Sequence, residues 1–208
     1  PQLYGFQQYL SDMAVLLGRL RGRGVTWIGT SMGGLMGMML AAQPNSPIRR
    51  LVVNDVGPFL PEAAVQRIGS YVGRAPERFD DVAGVEAYLR EVNAPFGPLT
   101  DAQSRHLAET SARPLADGGV ALHYDPAIGE AFRAAPADAV DLWGVWDAIP
   151  CPTLVIRGAD SDILPGDVAR EMTERGPKAG LVQLPGVGHA PALMDPAQID
   201  IVRDFVNR

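Results

Sequence analysis

Gly29-Thr30-Ser31-Met32-Gly33 is a G-x-S-x-G run, and its flanks decide how it reads. Residues 25–29 form a short apolar run entered from Gly24, the pattern of a buried strand. Residues 31–42 predict a helix that stops ahead of Pro44. A sharp strand-to-helix turn forces its central serine into a strained backbone conformation and lifts the hydroxyl clear of the sheet. Gly29 and Gly33 suit that turn because larger side chains would collide across it, while Gly34 and Gly37 let the helix lie close on the sheet. The Met32 N–H, at the helix N-terminus, then points at an oxyanion formed on a substrate at Ser31. Dinucleotide and phosphate loops are the rival readings, but neither G-x-G-x-x-G nor a G-K-[ST] ending is present.

Outward from this turn, strand and helix patterns alternate. Residues 6–20 carry apolar side chains at helical spacing, and Leu51-Val52-Val53 is a second buried strand. Further strands are expected at 152–156 and 181–184, with helices at 167–175 and 196–206. Such alternation predicts an α/β fold with a parallel sheet. Between 58 and 142 the pattern changes to broken helices at 61–73, 82–92, 100–111 and 127–134. This middle segment holds 13 acidic and 7 basic residues and so carries the whole formal charge of −6. The expected organisation is a first core segment at 1–57, a helical insert at 58–142 and a second core segment at 143–208.

Composition bounds the rest. With 208 residues, 47% of them hydrophobic and 20% charged, the chain is globular and sized for one domain, or one domain carrying an insertion. A single cysteine, Cys151, excludes an intrachain disulfide framework. The negative balance gives no footprint for nucleic acid or anionic lipid. No run is long enough to span a bilayer and no signal-peptide pattern opens the chain, so a cytoplasmic protein is expected. Three histidines and one cysteine, widely separated, offer no metal-ligand spacing, and no cofactor motif is present.

Serine is a poor nucleophile at neutral pH and needs a base. His189, in Gly186-Val187-Gly188-His189-Ala190-Pro191, follows the last expected strand and so lies at the carboxyl edge of the sheet with Ser31. His106 reads as a surface residue and His123 as a structural one. A carboxylate should hold the imidazole tautomer. Asp162, in the loop after strand 152–156, is preferred, because an acid is needed there and the order Ser…Asp…His is kept. Asp160 in the same loop and Asp55 at the end of the preceding strand are the alternatives.

Taken together, the elbow at 29–33, the strand exit at 51–58, the insert, the acid loop at 152–164 and the histidine loop at 181–191 resemble the α/β-hydrolase family. Asn54-Asp55-Val56-Gly57-Pro58, Asp141-Leu142-Trp143 and Arg157-Gly158-x-x-Ser161-Asp162-x-Leu164 resemble, more narrowly, a bacterial subgroup of capped hydrolases of largely unassigned substrate. The resemblance implies a mostly parallel sheet flanked by helices, with a helical cap over its carboxyl edge. It also implies Ser31 as nucleophile, His189 as base, Asp162 as acid and the Met32 N–H in the oxyanion hole. Hydrolysis of a small-molecule carbonyl substrate, a carboxylic ester, is the expected activity; C–C bond hydrolysis on the same fold and a non-enzymatic ligand-binding role are the alternatives. The sequence departs from the family in two places. Ser161 stands where the family's usual acid lies, three residues past the strand-ending Gly158. The strands that precede the first helix in the family, with the His-Gly loop that gives the second oxyanion donor, have no counterpart here. An upstream segment or a second chain, a homodimer included, is expected to complete the sheet.

Overall fold

The computed structural model describes residues 4–20, 22–134 and 140–208. Helix α1 (Phe6–Gly18) leads into strand β1 (Val25–Thr30), helix α2 (Met32–Ala41) and strand β2 (Ile48–Asn54). The chain then leaves the sheet and returns to it with β7 (Thr153–Gly158), α8 (Gly166–Glu174), β8 (Gly180–Leu184) and α9 (Pro196–Val206). The four long strands pair in parallel in the order β1-β2-β7-β8. The expected parallel α/β architecture is what forms.

Strand alternation sorts the sheet's side chains between two layers. Leu51, Val53 and Val155 join the larger core with Leu35 and Met38 of α2 and Val168 and Met172 of α8. Val52, Leu154 and Ile156 face the other way, onto Ile201, Val202 and Phe205 of α9. Burial on both faces is why β2 and β7 read as unbroken apolar runs. β1 forms one edge of this sheet. Ile28 is exposed there, as are Val15, Leu16 and Leu20 on and just beyond α1, so only part of the expected apolar stripe on α1 is covered; Leu10, Met13 and Leu17 pack on the core.

A two-stranded antiparallel ribbon, β3 (Phe59–Leu60) with β6 (Val140–Asp141), closes the base of the excursion, and the Leu142 N–H adds a 2.7 Å bond to the Pro58 carbonyl. Between these strands lie α3 (Glu62–Tyr71), α4 (Val82–Val92), a short 3-10 turn (Ala94–Phe96), α5 (Asp101–Ser111), the hairpin β4 (Ala112–Pro114) and β5 (Val120–Leu122), and α6 (Ile128–Ala134). Two of these helices, α4 and α5, start where the sequence supplies caps. The Asp81 carboxylate accepts from the Gly84 N–H, and Thr100 and Gln103 form a reciprocal capping box. The ribbon and the hairpin were not among the expected elements; at two or three residues each, they are too short to show an alternating pattern. After β6, α7 (Trp143–Asp147) buries Trp146 as the chain re-enters the core.

The excursion rests on the loops at the carboxyl edge of the sheet. The Pro95 carbonyl accepts from the Gly188 N–H at 2.7 Å, and Gln103 Nε2 donates to the Met194 carbonyl at 2.8 Å. Among the described residues, no helix is long and apolar enough to cross a membrane.

Candidate active site

Ser31 sits between β1 and α2 with φ 51° and ψ −119°, a strained conformation held by its neighbours. A Cβ on Gly29 would lie 2.2 Å from the Gly33 carbonyl oxygen, so only glycine lets the chain double back so tightly. The Gly33 carbonyl in turn accepts from Trp27 Nε1 at 2.9 Å, and the Ser31 N–H donates to the Asn54 carbonyl at 3.0 Å. The Ser31 carbonyl takes the N–H groups of Gly34 and Leu35 as the first turn of α2 begins. Met32 is the first residue of that helix, so its N–H has no acceptor within the helix.

His189 Nε2 lies 2.9 Å from Ser31 Oγ, across 158 residues of sequence. Its Nδ1 lies 2.8 Å from Asp55 Oδ2. A carboxylate accepts, so Nδ1 carries the proton and Nε2 presents a lone pair to the serine hydroxyl. Asp55 is fully buried, and its second oxygen accepts from the Gly158 N–H at 2.8 Å. Burying a carboxylate is costly unless its oxygens are hydrogen-bonded, and here both are. Asp55 also adopts φ 56°, while its own N–H donates to the Ile156 carbonyl at 2.8 Å. The chain turns off β2 still paired to β7, aiming the side chain along the sheet edge.

The structure brings Ser31 and His189 together, with Met32 next in the chain, and places Asp55, not Asp162, on the histidine. Asp162 stays on the outside of its loop, with its side chain 54% exposed, and accepts from Arg67 Nη2 of α3 at 2.9 Å. Asp160 is exposed as well. The physical reason lies in two neighbours. Ser161 Oγ accepts from the N–H groups of Ile163 and Leu164, curling the loop into a tight turn. The buried Arg157 guanidinium braces that turn from below, donating to the carbonyls of Leu164, Ala159 and Ser161. Both aspartates flanking Ser161 are left facing outward. Two sequence features are consistent with Asp55 but do not single it out: the serine at position 161, and an aspartate one residue beyond a buried strand.

A further residue escaped the sequence reading. Asn54 is fully buried, and its Nδ2 donates to Thr30 Oγ1 at 3.0 Å and to the Pro191 carbonyl at 2.8 Å. Gly158 also gains a meaning: a Cβ there would lie 2.3 Å from the Gly188 carbonyl oxygen and 2.5 Å from that of Val187. The end of β7 and the histidine loop are packed backbone on backbone. His106 and His123 lie on the excursion, on α5 and just after β5.

A model of the alpha/beta hydrolase family matches residues 1–200. The chain is 45% identical over 210 residues to the 3-hydroxybutyrate-oligomer hydrolase of Cupriavidus necator, covering 97% of this chain and 71% of that protein. It is 26% identical over 189 residues to the 2-(acetamidomethylene)succinate hydrolase of Mesorhizobium japonicum, covering 89% of this chain and 65% of that one. Among solved structures, an alpha/beta hydrolase from Novosphingobium aromaticivorans matches with a TM-score of 0.87 at 36% identity, over 100% of this chain and 73% of that one. A structure from Rickettsia typhi matches with a TM-score of 0.90 at 30% identity, over 100% of this chain and 70% of the other.

Proposed function

The chain belongs to the alpha/beta hydrolase family and is a hydrolase, and from that premise we propose that it is a serine esterase cleaving short esters of hydroxy acids, with Ser31, His189 and Asp55 as its catalytic triad. The observation that carries this reading is the pair of contacts on one imidazole, 2.9 Å to Ser31 Oγ and 2.8 Å to Asp55 Oδ2. The substrate class rests on the 45% identical relative, whose name specifies oligomers of 3-hydroxybutyrate.

In this mechanism Ser31 Oγ attacks the ester carbonyl carbon while its proton passes to His189 Nε2. Asp55 keeps the ring oriented and stabilises the imidazolium that forms. Negative charge develops on the carbonyl oxygen, where the Met32 N–H at the start of α2 donates to it. Collapse of the tetrahedral intermediate expels the alkoxide, which takes the proton from Nε2 and leaves as a free hydroxy acid or a shortened oligomer. Water then enters, gives a proton to Nε2 and attacks the acyl-enzyme, and the reverse transfer frees Ser31 and the second acid. The helical insert serves as a cap, resting on the histidine loop through Pro95 and excluding bulk water from the acyl-enzyme.

The test is covalent and catalytic together. A fluorophosphonate should label Ser31, and the protein should hydrolyse the linear dimer and trimer of 3-hydroxybutyrate. Ser31→Ala should abolish labelling and lower kcat by about 10⁶-fold. Absence of a Ser31 adduct on folded protein would overturn the serine mechanism. An adduct without oligomer cleavage would overturn only the substrate.

A further inference from the structure

We propose that Asn54 is a positioning residue for the reaction, its side-chain amide fixing the distance between the Ser31 elbow and the histidine loop. The inference rests on the triad reading above and extends it to a residue whose side chain hydrogen-bonds neither Ser31 Oγ nor the imidazole.

Asn54 is the last residue of β2 and meets both halves of the site. Through its backbone carbonyl it holds the Ser31 N–H at 3.0 Å. Through Nδ2 it holds Thr30 Oγ1, one residue before the nucleophile, at 3.0 Å, and the Pro191 carbonyl, two residues after the base, at 2.8 Å. Its peptide bond leads directly into Asp55. One residue thus touches the segment of every triad member. The alternation of β2 explains how: Asn54 shares a face with Val52, the face that packs toward α9, and the chain from His189 to α9 passes over that face.

The amide orientation is fixed by its partners. The Pro191 carbonyl can only accept, so the group facing it must be the NH₂. That leaves Asn54 Oδ1 buried without a hydrogen-bond partner among the described residues. A carbonyl buried without a donor is unfavourable. The side chain is therefore poorly suited to a purely stabilising role, and its consequence lies in what the two donated bonds hold in place. Reaction through Ser31 and His189 requires a near-attack geometry, and misplacement by about 1 Å is enough to cost ~10²-fold in rate.

The experiment compares Asn54→Ala and Asn54→Leu with the wild-type protein, using p-nitrophenyl butyrate for kcat and KM, a fluorophosphonate for the Ser31 labelling rate, and thermal melting. Asn54→Leu fills the space without donating, so it remains informative where Asn54→Ala does not fold. Val52→Ala, two residues earlier on the same face, measures the effect of destabilising this strand alone. For the Asn54 variants we expect kcat to fall by 10- to 100-fold with KM within about twofold, and the labelling rate to fall in parallel. Val52→Ala should lower Tm while leaving kcat near wild type. The proposal is overturned by folded Asn54 variants that keep kcat within about twofold, or by Val52→Ala losing kcat to the same extent. Failure of the fluorophosphonate to label wild-type Ser31 would instead overturn the triad reading itself.

Discussion

The loops that follow β2 and β7 leave neighbouring parallel strands at the same edge of the sheet, and each carries aspartate. In the first, Asp55 comes one residue after the strand, buried, with both carboxylate oxygens occupied. In the second, Asp160 and Asp162 straddle a turn braced by Ser161 and Arg157 and face outward. The difference teaches that proximity along the chain to a strand end is not enough to place a carboxylate on the histidine. What matters is whether the backbone aims the side chain inward and whether the fold supplies donors for a buried charge. The β7 loop does contribute to the site, but as a donor: the Gly158 N–H binds Asp55 from across the strand pair.

The sharpest way to break this comparison is to neutralise each acid in turn. Asp55→Asn should lower kcat by about 10⁴-fold, since an amide can present its NH₂ to Nδ1 and favour the wrong tautomer. Asp162→Asn and Arg67→Ala should leave kcat within about fivefold, because an exposed ion pair contributes on the order of 1 kcal/mol or less. Steady-state kinetics on one ester substrate reads both.

Gly158→Ala probes the point where the two loops meet. Its new Cβ has no room against the Val187 and Gly188 carbonyls, so the histidine loop must shift. Chemical denaturation should show a loss of about 1–3 kcal/mol. The displaced His189 should also lower kcat by up to ~10²-fold.

The smallest effect calibrates a carboxylate–guanidinium pair with no catalytic part. Arg175, beyond α8, hydrogen-bonds Asp147 of α7 and holds its carboxyl below the usual 3.8. A carboxyl whose pKa is lower when folded stabilises the fold above its ordinary value and loses that contribution as pH falls through the lowered one. Melting curves of wild-type protein and Asp147→Asn should therefore differ slightly at neutral pH and converge under strongly acidic conditions.

Much of this was legible in the sequence, and for physical reasons. The elbow was readable because a tight strand-to-helix turn has no room for a side chain at Gly29, although Gly33, expected to be equally crowded, has open space where a Cβ would lie. His189 was readable because it was the single histidine placed just past an expected strand. The helices at 82–92 and 196–206 matched because capping residues and apolar spacing agree there. Which aspartate meets His189 was not readable from chain order, since Asp55, Asp160 and Asp162 all lie between Ser31 and His189. Choosing among them needs knowledge of the Ser161 turn and the Arg157 brace, which are contacts rather than patterns. The role of Asn54 was hidden for a similar reason: its two partners lie 24 and 137 residues away.

The central claim is that Asp55 holds the Nδ1 proton of His189. It is tested most directly by proton NMR of ¹⁵N-histidine-labelled protein, which reads the strongly deshielded signal of an imidazole N–H bonded to a carboxylate. The account predicts that signal in wild-type protein and in Asp162→Asn, and its loss in Asp55→Ala. A signal that survives in Asp55→Ala and disappears in Asp162→Asn would contradict it.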